Sequence, residues 1–159
     1  MKNDEVVRLF DQYAGDLFRF ALSYLGSKHD AEDIVQDVFL KLLSKTVFLK
    51  PGSEKAYLMK VTANGCKNLL KAPAHRAGVD LESASAELAC FYELTDGDKE
   101  VYDNLMKMDE TLRIPLYLHY YEDYSYKDVA KLLKLSESAV AMRIKRGKEQ
   151  LKERLERSV

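Results

Sequence analysis

Of the residues in this chain that could do covalent or metal chemistry, none is spaced to do it. His29, His75 and His119 stand apart from any nucleophile they could activate. Cys66 and Cys90 have no second Cys or His at the spacing of a zinc site or a redox pair. There is no Gly-rich loop to cradle a phosphate. No catalytic group, no metal and no cofactor is therefore expected, and both thiols are expected to be ordinary buried or semi-exposed side chains. His119 reads as a helix residue beside the core, and His75 as a further member of a basic patch.

The chemistry the residues do offer is the binding of a polyanion. The net charge of −1 conceals four blocks: −4 over residues 1–40, +7 over 41–77, −7 over 78–103 and +3 over 104–159. Blocks of this size suggest two basic surfaces separated by an acidic segment that avoids or imitates nucleic acid. Solvated helical faces and a linker would give the same numbers.

The sharpest local pattern lies in the last block. Ser125 can cap a short helix over Tyr126–Leu133, Lys134-Leu135 reads as a turn, and Ser136-Glu137-Ser138 as the cap and start of another helix. At about 100° per residue, Val140, Ile144, Gly147, Leu151 and Leu155 fall in one sector and form the buried seam. Opposite them lie Ser138, Ala141, Met142, Lys145 and Arg146. A small, polar and basic face is what a helix needs to enter the major groove, where acidic side chains would be repelled. Ala130 supplies the small residue where the two helices cross.

The elements that must position these residues are helical throughout. Val6, Leu9, Phe10, Tyr13, Leu17, Phe20 and Tyr24 recur at the helical period, with a break expected near Gly15 and a stop at Gly26-Ser27. His29-Asp30 is expected to cap a second helix with Ile34, Val35, Val38, Phe39, Leu42 and Leu43 on one stripe, and Asp30, Glu32, Asp33, Gln36 and Asp37 on its other face. Pro51-Gly52-Ser53 starts a third, and Pro115 marks a kink or helix start in a later apolar run, Val101 to Tyr120. The expected fold is all-α: two small helical domains, 1–72 and 101–159, joined by an acidic linker over 73–100. No run is apolar enough to cross a membrane and the start lacks a signal peptide, so a cytoplasmic protein is expected.

Two stretches together resemble one family. Residues 120–130 with 135–140 and 143–148 are similar to the promoter-reading helix-turn-helix of sigma factors. Asp30-Ala31-Glu32-Asp33-Ile34-Val35-Gln36-Asp37-Val38-Phe39 resembles their polymerase-binding helix, and Ala56-Tyr57-Leu58-Met59-Lys60-Val61-Thr62-Ala63-Asn64 their promoter-melting stretch. The chain is identified as similar to the extracytoplasmic-function (ECF) sigma factors. Three positions depart from the family pattern: Tyr57 stands where Trp is usual, Lys134 where a turn Gly is common, and Ala141 where a basic residue often meets the DNA backbone. Lys134 is therefore expected in a left-handed conformation, and Ala141 implies fewer phosphate contacts.

The resemblance implies partners and roles. The helix from Asp30 to Ser44 would dock on the coiled-coil clamp of RNA polymerase core through Asp30, Glu32, Asp33, Gln36 and Asp37, with Phe39 in the core. Tyr57, Lys60, Asn64, Lys67, Asn68 and Lys71 would hold the separated strand of the minus-ten element, the lysines on phosphates and the two Asn residues on base edges. Simple helix-end caps remain an alternative for Asn64 and Asn68. Ser136, Ser138, Ala141, Met142, Arg143, Lys145 and Arg146 would read minus-thirty-five promoter DNA, the linker would pass through the polymerase, and an anti-sigma protein is a further partner the resemblance allows. The rival functions are a free-standing helix-turn-helix regulator, which leaves the acidic helix and the +7 block unexplained, and a sigma-like adaptor that does not melt promoters.

Overall fold

The computed structural model describes residues 1–45, 47–71 and 81–157, with side chains from residue 84 onward in the last segment. Among the described residues there are eight α-helices and no strand: α1 Asn3–Leu25, α2 Lys28–Ser44, α3 Glu54–Leu70, α4 Leu81–Phe91, α5 Asp96–Met106, α6 Glu110–Tyr120, α7 Tyr126–Leu133 and α8 Glu137–Arg157. They divide into two compact units, Met1–Val79 and Asp80–Val159. The all-α expectation holds.

In the first unit α1, α2 and α3 pack around Leu9, Leu17, Phe20, Val35, Val38, Leu58 and Met59. Helix α1 runs unbroken through Gly15 and stops where expected, Gly26 taking the left-handed conformation at φ 69° that glycine adopts freely. The cap of α2 is Ser27, whose hydroxyl accepts from the Asp30 amide at 3.3 Å, in place of the expected His29-Asp30. Leu43, expected on the buried stripe, is 46% exposed, since at the C-terminal turn the stripe narrows to Leu42, which is buried. Phe39 is core, as expected.

In the second unit the core is built from Tyr102, Leu105, Met106, Ile114, Leu116, Tyr117, Val129, Leu132, Val140 and Ile144. The apolar run from Val101 to Tyr120 is two helices rather than one, since the Asp109 carboxylate accepts the Thr111 amide at 2.8 Å and starts α6 anew. Pro115 lies inside α6 and does not begin it. The expected linker is likewise not a plain connector. Its residues 81–91 form α4, which packs on α5, burying Ala84, Leu88 and Ala89. Tyr92, just past α4, hydrogen-bonds the Tyr117 hydroxyl at 2.7 Å and donates to the Glu122 carboxylate at 3.0 Å. An acidic segment thus carries an apolar face that the charge count concealed. Pro73, His75 and Gly78 lie outside the described residues.

Candidate nucleic-acid interface

The helix-turn-helix is built as its residues require. The Ser125 hydroxyl accepts the Asp128 amide at 3.1 Å to start α7, and the Ser136 hydroxyl accepts the Ala139 amide at 3.1 Å to start α8. Between them Lys134 sits at φ 59°, ψ 46°, the left-handed conformation expected of it, and the amides of both Lys134 and Leu135 bond the Ala130 carbonyl. Ala130 is buried, and so are Val140, Ile144 and Gly147, while Leu151 and Leu155 are half-buried as the helix runs past the body of the unit. The seam assigned from spacing is the buried one.

The face away from the seam presents Ser136, Ser138, Met142, Lys145 and Arg146 to solvent, with Ala141 and Arg143 half-buried at its edges. Ser136 already serves as a cap and lies 3.2 Å from the Ser138 hydroxyl. Met142, 51% exposed, and the neighbouring hydroxyls make a surface that can meet a groove floor, with two cations beside it.

In the first unit a cleft of about 280 Å³ opens between α2 and α3. Its wall includes Tyr57, Asn64 and Asn68, three of the six residues expected to hold a separated strand, together with Val61 and Gly65. Lys60 and Lys71 are exposed outside it and Lys67 is half-buried, so the structure does not bring all six together. Asn64 and Asn68 are exposed, and Asn64 sits in the middle of α3, which removes the helix-end cap as its explanation. Reasoning from sequence missed Lys41 of α2 and Lys45 just past its end, which line the same cleft. The +7 block begins at Lys41, and that signal could have found them. Phe48, 92% exposed, is the neighbour of Val47 in the cleft wall. A cleft with amide groups, a phenol and two ammonium groups suits an unstacked base and its phosphate.

The opposite end of α2 is acidic. Glu32, Asp33, Gln36 and Asp37 are exposed and Asp30 half-buried, with His29 Nε2 lying 3.3 Å from the Asp33 carboxylate. This strip runs on into exposed Leu40 and Leu43, and α1 exposes Val7 and Phe10, the Phe10 ring meeting that of Phe39 on α2 edge to face at 5.1 Å. Acid followed by exposed apolar surface is a protein-binding composition rather than a DNA-binding one.

Elsewhere the reactive side chains serve structure. His119 Nδ1 donates to the Tyr124 carbonyl at 2.7 Å, half-buried beside the core as expected. Cys66 is buried, which pushes its thiol pKa well up, and Cys90 is exposed on α4. No group of His, Cys, Asp or Glu among the described residues could hold a metal.

An acidic helix beside a cleft lined by amides and lysines, followed on the same chain by a helix-turn-helix, is an arrangement that can meet both a protein and a nucleic acid. Comparison with known families agrees: the Sigma-70 region 2 family matches residues 9–76 and the Sigma-70, region 4 family matches residues 98–151. The chain belongs to the sigma-70 family, as a sigma factor of the ECF type. Among its relatives are the ECF RNA polymerase sigma factor SigX of Bacillus subtilis, 26% identical over 93% of this chain and 82% of that one, and SigM of the same organism, 24% identical over 95% of each. SigE of Mycolicibacterium smegmatis is 24% identical over 96% of this chain, which spans 61% of that relative's length. Two solved structures share the fold. CnrH, in complex with the cytosolic domain of CnrY, superposes with a TM-score of 0.70 at 24% identity, covering 99% of this chain and 92% of that one. The sigma factor RpoE of Bartonella quintana, in complex with the anti-sigma factor NepR, gives 0.68 at 19%, covering 96% and 97%.

Proposed function

We propose that this chain binds RNA polymerase core and directs it to a subset of promoters, and that the work is divided between its two units. The observation that carries this reading is the order of two sigma regions on one chain, each with a surface suited to its part. The exposed acids Asp33 and Asp37, with Glu32, Gln36 and Asp30, dock on a basic surface of the polymerase. The cleft between α2 and α3 holds the separated minus-ten strand, with Asn64, Asn68 and Tyr57 on a base and Lys41 and Lys45 joining Lys60, Lys67 and Lys71 on phosphates. Helix α8 reads the minus-thirty-five duplex through Ser136, Ser138, Ala141, Met142, Arg143, Lys145 and Arg146. The chemistry belongs to the polymerase, and this chain is not an enzyme. It acts in the cytoplasm, where polymerase and chromosome meet, and no described helix is long and apolar enough to cross a membrane. An anti-sigma protein is a further partner, as RpoE has in its complex with NepR.

The docking assignment is tested with Asp33→Lys combined with Asp37→Lys. Both side chains are exposed, so circular dichroism should show an intact fold while capture of core polymerase is lost. Transcription in vitro from genomic fragments should then require the wild-type chain. Unchanged capture by the variant would remove the docking assignment, and capture without promoter-specific transcripts by the wild type would favour the adaptor.

A further inference from the structure

One edge of α8, beside its DNA-facing side, carries Ala141, Lys145, Lys148 and Lys152 at steps of four, three and four residues. Lys148 is the one that a neighbouring element holds in place. Its ammonium lies 5.1 Å from the centre of the Tyr120 ring, at the end of α6, and a hydrogen bond with the Tyr120 side chain raises its pKa. Tyr120 is itself braced, packing edge to face on His119 at 4.8 Å. His119 is fixed in turn by its bond to the Tyr124 carbonyl and by Tyr126, the first residue of α7, at 4.8 Å.

This brace does nothing for the core. Tyr120 is 48% exposed and Lys148 lies on the surface, where an isolated cation–π contact contributes little. What it does is bias a long side chain towards one position, so that somewhat less freedom is lost when the ammonium meets a ligand. A compact ammonium recognises a phosphate as a point charge, without the planar fork a guanine edge favours. Its place at the border of the DNA-facing side, about two turns beyond Ala141, is where the phosphates that wall a groove would run. Ala141 has no group to reach them.

We propose that Lys148, braced by Tyr120, contacts a backbone phosphate of the duplex that α8 enters and supplies the phosphate contact Ala141 cannot make. The proposal rests on α8 being the duplex-reading helix. A phosphate contact is independent of sequence and releases a condensed counterion, so it leaves a mark that an internal cation–π contact does not: it steepens the salt dependence of binding.

The test is fluorescence anisotropy of a 20-base-pair duplex of mixed sequence titrated with the full chain from low to moderate salt. Lys148→Ala should weaken binding about three- to tenfold at low salt and make the slope of log affinity against log salt shallower by about 0.9. Lys148→Arg should keep the slope. Tyr120→Ala should weaken binding by a smaller factor with the slope kept, since the charge remains and only its bracing is lost. Lys99→Ala, an equal loss of charge at an exposed position of α5, should change neither. An unchanged slope in Lys148→Ala, or an equal change in Lys99→Ala, overturns the proposal. Lys145→Ala with Arg146→Ala separates the two levels: if that pair flattens the slope and Lys148→Ala does not, this proposal alone fails. If neither does, or if the wild type does not bind the duplex even in low salt, the reading of α8 fails with it.

Discussion

Lys134 shows how far one residue can be read. The capped helices on either side of it leave room only for a tight turn, and the αL conformation that such a turn demands is one that L side chains occupy at a cost of about 1–2 kcal/mol. Glycine would relieve that strain but adds freedom to the unfolded chain worth about 0.4–1 kcal/mol. Lys134→Gly is therefore expected to raise stability by up to about 1 kcal/mol, and Lys134→Val, β-branched at positive φ, to lower it by more than 1 kcal/mol. Urea unfolding followed by helical circular dichroism should rank Gly above Lys above Val, and a Val variant as stable as the wild type would contradict the strain argument. Other residues were legible to different degrees. Asn64 could be picked out because an amide amid lysines suits base edges, but Lys41 and Lys45 lie at the end of a helix whose first half is acidic, and only the packing of α2 on α3 brings them to the same cleft.

At the scale of elements, capping and periodicity located the helix-turn-helix and its buried seam, because those signals are local. They did not locate α4. Its apolar face is short and set in an acidic segment, and it becomes a helix side only against α5, with Tyr92 just past it meeting Tyr117 of α6. The seam also makes a prediction in which two glycines behave oppositely. A Cβ at Gly147 would come 2.7 Å from Leu116 Cδ1 and 3.1 Å from its Cγ, on a side chain that is 2% exposed and has little room to move. Gly147→Ala gains about 1 kcal/mol in helix propensity but costs about 1–3 kcal/mol in overpacking, so a net loss is expected. At Gly15, exposed in the middle of α1, a Cβ would meet only Arg19 at an ordinary 3.7 Å, and Gly15→Ala should stabilise by about 0.5–1 kcal/mol. Thermal unfolding of the two variants should move the midpoint in opposite directions. A gain at Gly147 would mean that α6 and α8 are looser than the close approach implies.

For the whole molecule the question is which unit acts at which step of promoter opening, and duplex and single strand differ enough to separate them. Lys145 and Arg146 are exposed on α8, where they can reach guanine edges or phosphates while the duplex is intact. Their replacement by Ala should weaken the closed complex of polymerase, sigma factor and promoter by about 1–3 kcal/mol for each lost contact. Asn64 and Asn68 line a cleft of about 280 Å³, which can take a base only after it has left the stack. Asn64→Ala with Asn68→Ala should therefore leave closed-complex affinity nearly unchanged and slow or prevent opening. Both side chains are exposed, so the fold should tolerate the change. A promoter already mismatched across the minus-ten element no longer has to supply the unpairing energy, a few kcal/mol, and should partly rescue the Asn pair while doing less for the Lys145 and Arg146 pair. Permanganate footprinting of unpaired thymines, run beside a closed-complex binding assay, resolves the two steps. If the Asn double variant opens promoters at the normal rate, the cleft is not the strand-holding site, and promoter melting must be assigned to surfaces outside it.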